Sequence, residues 1–179
     1  GYLSVEFGRP TFLVVPAEGD PTVVTPRMES EMVSAMTWVP NIHTWEDSGP
    51  NHWGNVLMQN LGTQRCRLGV EKAVLPSLVR MWLDDSTDSV ELIDASPLIA
   101  EMRTLKSSFE IGVMKQAGLI AAAMMSAAED SLAEGVPEYE SALAIINAGT
   151  RAAAGFLTNA GWERFVSPII HNLQIMQSG

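Results

Sequence analysis

The chain has 179 residues, of which 46% are hydrophobic and 18% charged, the composition of a packed globular protein and not of a disordered one. Its net charge of −10 repels phosphate backbones, which argues against nucleic acid as a partner. Cys66 is the single cysteine, so no internal disulfide is available, and one thiol is compatible with a reducing, cytoplasmic setting.

The elements alternate through the first half. Residues 11–15 (TFLVV) form a β-rich run between Pro10 and Pro16, turn chemistry follows at 17–21, and residues 22–25 (TVVT) return as a second strand. Residues 28–35 carry mixed helical character, and 41–45 read as a short strand. Residues 47–51 (DSGPN) are a loop. Trp53, Val56, Leu57 and Leu61 then fall at helical spacing, with Gly62 as a natural end. A strand at 67–71, a helix at 76–83 and a strand at 90–93 follow. A hairpin succeeded by alternating short strands and helices predicts a mixed α/β sheet with flanking helices over residues 1–95.

From Ser96 the pattern turns helical. Ser96-Pro97 reads as a cap followed by a proline in the first turn. Ser107 and Glu110 have the spacing of a capping box, and the helix they open runs to about Leu132 with Phe109, Val113, Ala117, Ile120, Met124 and Leu132 on one face. Gly135 ends it. Pro137, Glu138 and Glu140 open the next helix, which is expected to close at Gly155. Residues 165–174 return to a strand pattern. The longest uninterrupted apolar stretch, 117–128, is shorter than the roughly 20 residues a membrane span needs, so no membrane partner is expected.

Two stretches carry a resemblance. Residues 98–111 contain an Arg, then a hydrophobic residue followed by Lys-Ser, then Glu-Ile: Arg103, Leu105-Lys106-Ser107 and Glu110-Ile111. Glu134-Gly135-Val136-Pro137-Glu138-Tyr139-Glu140 follows about twenty residues on. Together they resemble the domain junction of the creatinase, prolidase and aminopeptidase P family. Arg9-Pro10, Gly19-Asp20-Pro21, Pro26-Arg27-Met28-Glu29 and Leu68-Gly69-Val70-Glu71 are similar to that family's N-terminal sheet.

The resemblance implies an α/β creatinase-like N-terminal domain over 1–95, then the first helices and strand of an α+β pita-bread catalytic domain over 96–179, the whole being an internal fragment. It implies a parent hydrolase with two divalent metal ions (Mn, Co or Zn) that cleaves Xaa-Pro peptides or another small amide or C–N substrate. Creatinase, a member that dispenses with the metals, and lyases of the same fold remain open, as does a non-catalytic relative that binds peptides or proteins. It also implies a homodimer in which the N-terminal domain of one subunit reaches toward its neighbour's active site.

The family's ligands of two Asp, one His and two Glu would follow the end of this chain; no acidic residue occurs after Glu163, so neither a metal nor a catalytic residue is assigned here. The candidate contact residues are His43, Trp45, His52 and Trp53, two His and two Trp flanking a polar loop, expected to face the partner subunit or its substrate. The alternative is that Trp45 and Trp53 pack on their own domain. His43, Glu46, Asp47 and His52 match no compact metal motif. His171, among Ile169, Ile170 and Leu173, reads as a structural histidine or as a wall of the substrate site.

Overall fold

The computed structural model describes residues 9–62, 65–86 and 90–161. The strand expected at 165–174 and His171 lie outside these. The chain divides into two compact units between Thr104 and Leu105, whereas the change of sequence character falls at Ser96; the helix in between belongs to the first unit.

In the first unit, β1 (Phe12–Val14) pairs antiparallel with β2 (Thr22–Pro26), and β2 pairs parallel with β3 (Asn41–Trp45). A 3-10 turn (Arg27–Glu29) and α1 (Ser30–Met36) make the crossover between the parallel strands. After α2 (Trp53–Leu61), β4 (Cys66–Val70) and β5 (Val90–Asp94) form a parallel pair around α3 (Ser77–Ser86). The expected mixed sheet with helices is therefore present, as one three-stranded and one two-stranded ladder. α4 (Ser96–Thr104) closes the unit.

Successive residues of a strand point to opposite faces, and β2 shows it. Val24 joins Trp45, Trp53, Val56, Leu57, Val79 and Leu83 in the main core. Its neighbour Val23 joins Val33 and Val39 in a second, smaller core that α1 closes, with Ile42 of β3 packed against it. β2 is thus covered on both faces, as a strand in a parallel pair requires.

Gly54 lets α2 approach α3. A Cβ at that position would fall on the indole of Trp82, which itself packs on Trp53 at 5.1 Å between ring centroids.

In the second unit, α5 (Ser108–Ser131) packs against α6 (Glu138–Ala160). The capping box at Ser107 is complete: its hydroxyl accepts from the Glu110 amide at 3.2 Å, and Glu110 Oε2 accepts from the Ser107 amide at 2.8 Å. Those bonds from the Ser107 amide and hydroxyl hold the exposed Glu110 carboxyl below its ordinary value. An acid whose folded pKa is depressed stabilises the fold above its unfolded pKa, and that contribution disappears as pH falls through the folded value. Replacing Ser107 by alanine removes the acceptor and is expected to cost the second unit about 1 kcal/mol. Chemical denaturation near neutral pH, followed by helix content, checks this; an unmoved midpoint would mean that the helix does not depend on this cap.

Three expectations are corrected here. α6 does not close at Gly155 but continues to Ala160 and ends at Gly161, whose φ of 70° is left-handed and whose amide reaches the carbonyls of Leu157 and Thr158. Gly155 keeps helical backbone; a glycine ends a helix where the chain must turn left-handed, not wherever it occurs. The α5 contact face is also rotated from the expected one. Val113, Gln116, Ile120, Ala123, Met124 and Ala127 are half-buried, while Phe109, Ala117 and Leu132 are exposed. Small residues bring the two helices together, since α6 offers Ser141, Gly149, Ala153 and Leu157 as its buried line. Lastly, α5 as a whole is 24 residues long and is, by length and composition alone, long and apolar enough to cross a membrane. The stretch at 117–128 understated it because it stopped at Lys115 and Gln116, beyond which Ile111, Val113 and Met114 are apolar again.

Candidate functional site

β2 and β3 run parallel and end together, with Pro26 opposite Trp45 as the last rung. Beyond the carboxyl ends of parallel strands the chain turns away and leaves a crevice, the usual place for ligands in such sheets. Here the next residues are Arg27 and Met28 on one side and Glu46 and Asp47 on the other. Arg9, arriving from the chain ahead of β1, completes a concavity of 380 Å³ with Pro26 and Trp45.

Its walls are charged and paired. Arg9 grips Asp47 with two bonds, Nε to Oδ1 at 3.2 Å and Nη2 to Oδ2 at 2.7 Å. The fork geometry matches a carboxylate and fixes both side chains. The third arm of the same guanidinium, Nη1, donates to the Met28 sulfur at 3.0 Å. Arg27 Nη1 donates to Glu46 Oε1 at 2.6 Å, a single contact from a guanidinium more exposed than that of Arg9. An exposed single pair of this kind is worth at most about 1 kcal/mol and opens readily.

The backbone beneath is anchored. Trp45 Nε1 donates to the Pro10 carbonyl at 3.0 Å, and the hydroxyls of Thr11 and Thr25 lie 3.2 Å apart. The loop after β3 is closed by two backbone bonds, Glu46 amide to Asn51 carbonyl at 2.9 Å and His52 amide to Gly49 carbonyl at 3.2 Å.

The structure separates the four contact candidates it describes. Trp45 and Trp53 are 3% and 4% exposed and belong to the main core, so the expectation that they face a partner is corrected. The reason is positional: Trp45 shares the face of β3 that meets α2, and Trp53 opens the buried side of α2 against Phe12 and Trp82. His52 is half-buried and caps α2, its Nδ1 accepting from the Gly54 amide at 3.4 Å, with its ring 5.1 Å from that of Trp53. His43 is exposed on β3, an outer strand of its ladder.

Sequence reasoning missed Arg9, Arg27 and Asp47 as site residues. Arg9 and Asp47 stand 38 positions apart and meet only because β2 lies between their segments. For Arg27 and Asp47 the usable signal was a charged residue just after β2 and β3, whereas Arg9, ahead of β1, carries no such mark.

Chemically the crevice is a recognition surface. It presents two guanidiniums, two carboxylates and a thioether, and neither a thiol nor a histidine among its lining residues. Among the described residues no three His, Cys, Asp or Glu side chains are grouped closely enough to hold a metal ion.

Comparison with known proteins places the fold in a family. Residues 1–105 match the family described as Creatinase/Prolidase N-terminal domain. The creatinase of Bacillus sp. (strain B-0618) is 38% identical over 77 residues, covering 43% of this chain and 19% of that protein. The agropine synthesis cyclase of Rhizobium rhizogenes is 24% identical over 161 residues, covering 83% of this chain and 39% of that protein. Among solved structures, the recombinant prolidase of Thermococcus sibiricus superposes with a TM-score of 0.66 at 22% identity, over 82% of this chain and 40% of that one. The chain thus spans between 19% and 39% of the length of these curated relatives. With more than half of its residues inside the matching domain, this chain belongs to the creatinase/prolidase family.

Proposed function

We propose that this chain is part of a hydrolase of the prolidase or Xaa-Pro aminopeptidase type, and that its first unit serves that enzyme as a recognition surface. The observation that carries the reading is the family match over 1–105 combined with a prolidase fold over four-fifths of the chain. The substrate class would be a short peptide with proline second, or another small amide or C–N compound. The parent would be a cytoplasmic homodimer; the single cysteine fits a reducing compartment.

The metal pair such enzymes use would supply an activated water and a polarised amide. The described residues do not fit it, since they hold no ligand cluster, and no step is derived through it. What this chain's own residues offer is positioning. The Arg9–Asp47 fork is the fixed wall of the crevice, and the single Arg27–Glu46 contact is the wall that opens to meet a substrate or a neighbouring subunit.

A second reading is favoured by one observation. A 77-residue stretch is 38% identical to a creatinase, and a longer alignment is with a protein named as a cyclase. A member acting on a creatine-like C–N bond or closing a ring, without peptidase activity, is the reading that this favours.

The test is on the longer protein that contains this chain. Turnover of Xaa-Pro dipeptides that disappears on chelation and returns with Mn²⁺ supports the first reading. Turnover of creatine, or ring closure of a small substrate, without dipeptide cleavage replaces it with the second. Neither activity would leave a peptide-binding relative. Within an active protein, Arg27→Ala is expected to raise KM several-fold at unchanged kcat, because an exposed pair worth at most about 1 kcal/mol is lost from a wall and not from the reacting centre. An unchanged KM would remove the crevice from the binding surface.

A further inference from the structure

The 3-10 turn Arg27–Glu29 points three ways. Arg27 holds Glu46 and Met28 receives Arg9, so two of its three residues build the crevice. The third, Glu29, turns inward. It is 7% exposed, and its Oε2 is sealed from solvent with no hydrogen-bond partner. A buried carboxylate oxygen without a donor is unstable as an anion, because it has lost its hydration and gained nothing in exchange.

The surroundings offer no compensating charge. α1 follows Glu29 directly and packs on β2 and β3. β2 carries no ionisable side chain. Across the turn, α1, β3 and the segments that touch the turn, the charged groups are Arg27, engaged with Glu46, Arg9, which reaches Met28 and is engaged with Asp47, and Glu31 on α1 and His43 on β3, both exposed. Burial alone raises the Glu29 carboxyl above its ordinary value.

We propose that Glu29 is a proton-dependent positioning residue: neutral, it seats the 3-10 turn and α1 on the sheet, and ionised, it loosens that turn and with it the Arg27 and Met28 walls of the crevice. The link is mechanical, since three consecutive residues share one tight turn. The small core beneath α1 gives little resistance; only Val23, Val33 and Val39 are buried there. The sign follows from the raised folded value. The neutral form binds its proton more tightly in the folded state, so the stabilisation is fully present below the unfolded carboxylate pKa and is lost as pH rises through the folded one. The functional meaning rests on the crevice being a recognition surface. The latch itself does not, and the two are measured separately.

The experiment uses the 179-residue chain. Carboxyl ¹³C NMR follows Glu29 directly, and amide hydrogen exchange at residues 27–36, corrected for intrinsic rates, follows the latch. The expected result is a Glu29 titration above that of the exposed glutamates, with protection at 27–36 falling across the same pH range. The fall is about tenfold for each pH unit separating the folded and unfolded titrations. Glu29→Gln should hold that protection constant over the range. An ordinary Glu29 titration, or protection at 27–36 that ignores it, overturns the proposal without needing the variant to fold. Should the latch be present while Arg27→Ala leaves KM unmoved in the longer protein, the crevice reading fails and the latch stands.

Discussion

Replacing Trp53 by alanine is expected to destabilise the first unit by about 3–5 kcal/mol, the range for deleting a large aromatic side chain from a core. Trp53 is the hinge of that core. Its ring lies 5.7 Å from Phe12 of β1 and 5.1 Å from Trp82 of α3, so one side chain joins the three-stranded ladder to the helix that crosses between β4 and β5. The site is poorly able to collapse. Trp82 already lies where a Cβ on Gly54 would fall, so that ring is held against the α2 backbone and has little freedom to fill the space. Since small domains are stable by only about 5–15 kcal/mol, such a loss would leave the unit close to unfolding. His43→Ala provides the contrast: an exposed side chain on an outer strand should move stability by no more than about 0.5 kcal/mol. Denaturant midpoints of the two variants, read by far-ultraviolet circular dichroism, decide the matter. A Trp53 variant as stable as the parent would return that residue to the surface and undo the core assignment.

The difference between these two residues shows where the sequence is legible. Both lie beside the same polar loop, and from the string alone both look like contact residues. The order of strands and helices follows from local pattern: β-branched runs broken by Pro and Gly, helical spacing over 53–61, a Ser-x-x-Glu cap at 107–110. Each depends on residues within one turn or one pleat of each other. The choice of buried face does not. In Asn41–Trp45 alternation says that His43 and Trp45 share a face, and only the arrival of α2 makes that face the inside at Trp45 while leaving His43 exposed. The crevice was hidden for the same reason. Arg9, Arg27, Glu46 and Asp47 are brought together by the parallel pairing of β2 with β3, and parallel register is set by long-range contacts. Gly155 fails differently: its identity gives permission for a left-handed turn, and whether the turn is taken depends on whether α6 still has a surface to cover, which at Leu157 it does.

The second unit, taken by itself, is expected to exchange its amides quickly or to self-associate. α5 has no buried residue in its 24, although it is apolar enough to pass for a membrane span. Its only described helical partner in the unit is α6, and the line facing that partner mixes Ala123 and Ala127 with Val113, Gln116, Ile120 and Met124, all of them no more than half-buried. Phe109, Ile111, Met114, Leu119 and Met125 are left between 44% and 70% exposed. Exposed large apolar side chains in this number mark an interface or an aggregation hazard, and helices whose stability comes mainly from packing an apolar face open easily when that face is uncovered. In a monomeric sample at low concentration, amide protection over 110–155 should therefore be weaker than over the strands of the first unit, and 8-anilinonaphthalene sulfonate should fluoresce in its presence. Raising the concentration should bury the surface through association, seen as a rising sedimentation coefficient with loss of dye binding. Transfer of the chain into neutral lipid vesicles separates the remaining possibility: α5 carries Lys115 two turns in from its start and Glu129 and Asp130 near its end, so stable insertion is not expected. Strong, uniform protection across α5 and α6 in a monomer that ignores the dye would mean that the pair is self-sufficient and that its exposed side chains serve another purpose than being covered.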